Sequence, residues 1–184
     1  GFDLLRERKK IFSSISKVSC KPKPVIGIPA SLHLFEELPL WKHFFNNLSI
    51  RTIGSERNRE ALKKGKLVAG AEFCSPIDAL HGEVMYLADK VDYIFLPVFL
   101  QAQDKPKNSE RNYCYYTQFS PSLIYNMNGG ELKDKCLSPL LNFSMGNIAV
   151  ALELYTCLKR FIPDIRLSSV YAALTKAFSH YHNQ

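Results

Sequence analysis

VDYIFLPVFL, residues 91–100, is a nearly continuous apolar run, and its reading decides the fold. A strand with one wet face alternates apolar and polar residues. A strand inside a parallel sheet is covered on both faces and reads as an unbroken apolar run. Residues 91–100 follow the second pattern. Parallel strands cannot be joined by tight hairpins, so the flanking sequence must supply crossover helices.

On the N-terminal side it does. SPIDALHGEVMYLAD, residues 75–89, places Ile77, Leu80, Val84, Met85 and Leu87 at helical spacing. Ser75 reads as its N-cap, Pro76 as its first helical residue, and Asp78 as an acid favourable to the dipole in the first turn. Further back, LVAGAEF (67–73) reads as a third strand or extended approach, and NREALKKGK (58–66) as a polar helix ended by Gly65. SIRTIGS (49–55) reads as a second strand. ELPLWKHFFNNL (37–48) reads as a helix with Pro39 in its first turn, and residues 25–28 as a first buried strand. Leu4, Leu5, Ile11, Phe12 and Ile15 predict a short helix before the KPKP connector at 21–24.

On the C-terminal side, the polar residues 101–113 read as a long loop. CYYTQFSPSLIYNM (114–127) reads as an extended piece and then a helix started by Ser120 and Pro121 and stopped by Asn128, Gly129 and Gly130. Residues 145–161 and 167–182 read as two helices separated at Pro163. Strands alternating with helices imply an α/β fold: a doubly wound, mainly parallel sheet flanked by helices, with a helical C-terminal third. The expected organisation is an N-terminal helix and connector over 1–23, an α/β domain over 24–145, and C-terminal helices over 146–184 packing on it.

Bulk composition narrows the function classes. A chain of 184 residues with 46% hydrophobic content is the size of one core. The net charge of +7 gathers at 6–10, 21–24 and 63–66, with no nucleic-acid-binding motif beside it, so no nucleic-acid partner is expected. A basic rim suits a phosphorylated ligand such as a coenzyme A ester. No apolar stretch approaches the roughly 20 residues that span a membrane, and no signal peptide is present. A cytoplasmic protein is the expectation.

In a doubly wound sheet, ligands sit beyond the carboxyl ends of the strands. Three segments there hold chemistry-capable residues: Pro29 to Glu36, Cys74 to His81, and Pro97 to Cys114. The five cysteines, at 20, 74, 114, 136 and 157, show no CxxC pairing. Cys74 and Cys114 each precede a helix start, where free backbone N–H groups favour a thiolate. Cys157 lies in a helix stripe and reads as core, and Cys20 and Cys136 have no such setting. His81 either bonds a carbonyl or serves as a proton donor near a thioester. His33 and His43 carry less signal still, and Glu36 and Glu37 read as capping groups. No Gly-rich phosphate loop occurs, so ATP hydrolysis has no site in this sequence.

Five blocks together resemble a known family. VIGIPASLHLFEELPLWKHFF (25–45), EFCSPIDALHGEV (72–84), DYIFLPVF (92–99), NYCYYTQFSPSLI (112–124) and SPLLNFS (138–144) are similar, in order, to the domain that follows the ATPase modules in large 2-hydroxyacyl-CoA dehydratase activase-related proteins. That family is related to the dehydratase subunits, α/β proteins that hold a 4Fe-4S cluster through cysteines. The resemblance implies Cys74 and Cys114 as metal ligands, and Pro29 and His81 as cofactor-binding positions. It implies an acyl-CoA ester, an ATPase module of a parent protein or a dehydratase subunit as partner. It also admits a non-catalytic docking domain without a cluster. Some relatives carry a cysteine directly after the proline of the third block, where this chain has Val98, and often read His-Gly-His where it has His81-Gly82-Glu83. With two suitable thiolates, a domain isolated in air is expected to hold no intact cluster. The whole reads as one domain of a longer polypeptide.

Overall fold

The computed structural model describes residues 24–101 and 112–182. The expected helix near residues 4–15 and most of the loop over 101–113 lie outside them. Four parallel strands form the main sheet in the order β2-β1-β3-β5: β1 (Ile26–Ile28), β2 (Thr52–Gly54), β3 (Tyr93–Phe95) and β5 (Cys136–Leu137). Two more, β4 (Val98–Gln101) and β6 (Leu140–Asn142), pair in parallel as a second, two-stranded sheet. Helix α1 (Leu34–Asn47) joins β1 to β2, while α2 (Ala61–Val68) and α3 (Ser75–Ala88) together join β2 to β3. Because the chain steps from β1 to β2 one way and back across β1 to β3, right-handed crossovers place α1 and α3 on opposite faces. The order therefore reverses at β1, which makes the carboxyl ends of β1 and β3 the switch point of the sheet.

Residues 91–100 are indeed central, but they form two strands. Through Phe99, each partner in both ladders lies 42 residues further along: Ile94 with Cys136, Phe95 with Leu137, Val98 with Leu140 and Phe99 with Leu141, before a bulge shifts Gln101 to Asn142. Pro97 and Pro139 share that offset, so two residues without an N–H oppose each other at one rung and divide the ribbon. Leu96 N–H still donates to Leu137 O at 2.9 Å and Val98 N–H to Pro139 O at 3.0 Å, which keeps the halves aligned.

Four local expectations are corrected. Residues 67–73 form no strand: Leu67 and Val68 close α2, and the rest is turn and coil. Gly65 does not end α2 but lies inside it, because a side chain there would run into the backbone of α3 at Asp78. Gly82 on α3 does the reciprocal work against the backbone of Ala61, so the two helices cross almost backbone to backbone. Pro39 lies within α1 rather than in its first turn, since the helix starts three residues earlier than expected. Ser75 is the first helical residue and Cys74 is the N-cap, with no capping hydrogen bond from its side chain.

Short helices α4 (Tyr115–Gln118) and α5 (Ser120–Tyr125) follow β4, and α6 (Asn147–Lys159) and α7 (Leu167–His182) finish the described chain. One hydrophobic cluster runs through all of it. Ile26, Ile28, Trp41, Phe44, Phe45, Phe95 and Phe99 form its centre, and Leu154, Leu158, Val170 and Leu174 bring the C-terminal helices into it. α7 packs on α1 and α6. Among the described residues, no helix is long and apolar enough to cross a membrane.

Candidate functional site

The two cysteines singled out in the sequence occupy equivalent backbone positions. Cys74 caps α3 with φ −68° and ψ 149°, and Cys114 caps α4 with φ −61° and ψ 153°. Both are exposed and unbridged. Since α3 runs back to the start of β3, its own start lies at the carboxyl end of the sheet, although the Cys74 turn follows a helix and not a strand. Ser31, just beyond β1, confirms the placement by donating its hydroxyl to Pro76 O at 3.0 Å. Cys114 is anchored at the same edge because Tyr113 N–H donates to Leu100 O of β4 at 3.2 Å.

A single aromatic residue joins the two turns. The Phe73 ring lies 5.8 Å, edge to face, from Tyr116 and is stacked 5.5 Å from His81. The residue before Cys74 therefore touches the residue two after Cys114. His81 is buried, and its Nδ1 must be the protonated nitrogen, because it donates to Ile77 O at 2.8 Å and a carbonyl can only accept. That is the carbonyl-bonded arrangement weighed in the sequence, with the ring backing Phe73. Pro29 is buried one residue before Ala30, whose N–H donates to Ser55 Oγ at 2.8 Å.

The Cys114 thiol is held below its ordinary value. The Thr117 hydroxyl, 3.2 Å from Sγ, is the main cause, and the amides of Thr117 and Tyr116 add to it. Tyr115, Tyr116 and Phe119 are exposed around it, three large aromatic side chains on one short segment. Cys136 and Cys157 have the opposite character, with burial pushing their thiols up to about 12 and about 11.

Three further groups, which the sequence passes over or shows as caps, are perturbed. Glu83 is buried and takes a 2.5 Å hydrogen bond from Ser55 Oγ. Burial is the main reason its carboxyl is pushed up to about 7, with the charge of Glu56 adding to it. Lys42 pairs with Glu56 at 2.6 Å beside it. Glu37 does not cap α1; it accepts from Trp41 Nε1 at 2.8 Å, and burial pushes it too up to about 7. His33 sits between the rings of Phe99 and Tyr113, at 3.7 and 4.6 Å, with its Nε2 buried and unpartnered among the described residues. Burial lowers it to about 4. The apolar spacing around these acids could have shown that positions 37 and 83 fall on inward faces of their helices; nothing in the sequence shows the partners.

These shifts make stability depend on pH in an unusual direction. The folded protein keeps the Glu83 proton up to about pH 7, whereas an ordinary carboxyl loses it near 4.5, so this contribution to stability is lost as pH rises through that window. His33 works the other way and only below about pH 6.5. Between pH 6 and 8, Glu83→Gln is therefore expected to remove about 1 kcal/mol of the parent's loss of stability. Urea melts of both proteins at the two pH values check this; equal losses would show that Glu83 ionises normally.

Among the described residues, no group of three or more His, Cys, Asp or Glu side chains is placed to hold a metal ion. Two thiols meet half of the four-thiolate requirement of a 4Fe-4S cluster, so a complete cluster does not fit these residues alone. A thiol pair on an aromatic edge can still supply part of a shared site or meet a thioester-bearing ligand.

The description of a CoA enzyme activase uncharacterised domain matches residues 25–184. The chain belongs to that family, whose matched span takes in the whole sheet and both cysteine turns. No curated protein and no solved structure gave a significant match.

Proposed function

We propose that the edge carrying Cys74 and Cys114 is the working surface of this activase-family domain. Its two thiols supply part of the ligand set of a 4Fe-4S cluster, and the ATPase module of a parent protein or a dehydratase subunit supplies the rest. The Phe73–Tyr116 contact carries this reading, since it keeps two exposed thiol-bearing turns together across 40 residues of sequence. The reducing cytoplasm expected from the cysteine pattern would preserve such thiols. Pro29 and His81 support the edge from behind and shape it.

Anaerobic reconstitution with ferrous iron and sulfide tests the reading. Reconstituted together with the ATPase module or dehydratase subunit, the unmutated chain is expected to form a complex that retains iron, which Cys74→Ser and Cys114→Ser each lose, and to lose it again in air. Equal iron in parent and variants would overturn the ligand roles. Stability makes a second check: an exposed Cys74 predicts that Cys74→Ser changes the unfolding free energy by no more than about 0.5 kcal/mol, and that the thiol labels fast in the native protein.

A second reading is favoured by the exposed Tyr115, Tyr116 and Phe119, which offer stacking surfaces for the adenine of an acyl-CoA ester beside Cys114. In that case an acyl-CoA slows maleimide labelling of Cys114 in the metal-free chain, and Tyr115→Ala abolishes the protection.

A further inference from the structure

Along the edge strand β5 lies a cavity of about 400 Å3 to which neither Cys74 nor Cys114 contributes. Tyr125 from the end of α5, Cys136 and Ser138 from β5 and its exit, and Glu153, Cys157 and Arg160 from α6 are among its lining residues. The volume falls within the range of small-molecule sites, roughly 300–1,000 Å3.

Three features of the lining point to one kind of ligand. Ser138 Oγ is buried beside the Tyr125 hydroxyl with no well-formed hydrogen bond among the described residues, so a ligand oxygen entering the cavity can complete it. Arg160 makes no ion pair among the described residues, and its guanidinium, 5.6 Å from the centre of the Phe161 ring, is part of the lining. Glu153 stands two helical turns before Arg160 on the same face of α6, so an acceptor and a cation flank the wall on which Cys157 lies. The thiols between them stay uncharged at neutral pH because burial raises both.

We propose that this cavity binds a small organic anion. Its carboxylate or phosphate group meets the Arg160 fork and the Ser138 hydroxyl, and a hydrogen-bond donor elsewhere on the ligand faces Glu153. Arginine suits the anionic end because its planar donors match two oxygens at once. Lys133 adds a second positive charge to the same lining, next to the carboxylate of Asp134. The site is independent of the thiol edge and stands whether or not a cluster is assembled there.

The test uses the full chain and reads alkylation of Cys157 by iodoacetamide at mildly alkaline pH, followed by mass spectrometry, with inorganic phosphate or succinate as the probe. One of the two at about 10 mM is expected to slow the reaction about threefold, as for a site about two-thirds filled at that concentration. Phosphate protection alone identifies a phosphorylated ligand, and succinate protection alone a carboxylate. The protection should vanish in Arg160→Ala, an exposed position whose loss leaves the core intact, and weaken in Ser138→Ala. Cys74 in the same sample serves as the control and should react at an unchanged rate. No protection by either probe, or protection that survives in Arg160→Ala, overturns the proposal.

Discussion

Trp41→Ala is expected to lower the unfolding free energy by about 3–5 kcal/mol, the range for emptying a large aromatic from a core. Trp41 is fully buried and touches Phe44, Phe95 and Phe99 at centroid distances of 5.9, 4.8 and 6.4 Å, so the helix α1 and both halves of the central ribbon lose a common neighbour. The indole also donates to Glu37, and its removal leaves a buried carboxyl without that donor. Trp41→Phe separates the two losses, because it restores most of the ring but not the N–H. Chemical denaturation of both variants should place Trp41→Phe between parent and alanine; coincidence of Trp41→Phe with the parent would mean the Glu37 bond contributes nothing.

Gly65→Ala should cost about 3 kcal/mol, although alanine is the better helix former by about 1 kcal/mol. The new methyl would fall on the carbonyl of Asp78, so α2 and α3 must separate along their whole crossing, and backbone cannot rotate aside as a side chain does. Gly82→Ala meets Ala61 in the same way and should cost about as much. The double variant should cost less than the sum, because helices already parted for one methyl accept the second. Thermal melts of the three proteins decide it; stabilisation by either single alanine would refute backbone-level contact.

Where periodicity governed, the sequence was legible. The unbroken run at 91–100 located the centre of the sheet, and the stripes at 77–87 and 145–161 located helices that bury Ile77, Leu80, Val84 and Leu87 and Val150, Leu154 and Leu158, while Ile148 and Leu152 of the second stay exposed. It failed where one residue type has two uses. Gly65 reads as a terminator, and the same lack of a side chain serves a helix crossing; taking it as a stop turned residues 67–73 into a strand. The strands at 136–137 and 140–142 are too short to show a period of two, and Pro139 between them resembles loop punctuation. At the candidate site, the sequence put Cys74 just before a helix but gave the cap to Ser75, and it read the short helix that Cys114 caps as an extended piece. The link between the turns was not legible, because a contact between residues 73 and 116 leaves no local pattern. Ser55 and Glu83 are likewise joined across 28 residues, and only folding reveals that an acid on α3 is closed in by the exit of β2.

The opposed prolines at positions 97 and 139 give the ribbon a fault line. Two amide donors are missing at one rung, so cooperative breathing has a place to stop: β4, β6 and the Cys114 turn hung from them can open as a unit while β1, β2, β3 and β5 stay closed. Amide exchange should then fall into two tiers, with Phe99 and Leu141 exchanging together and well ahead of Ile94 and Leu137. Each opening would carry the Cys114 turn away from the Phe73–Tyr116 contact, so the lifetime of that contact is set by the elasticity of the seam beneath it.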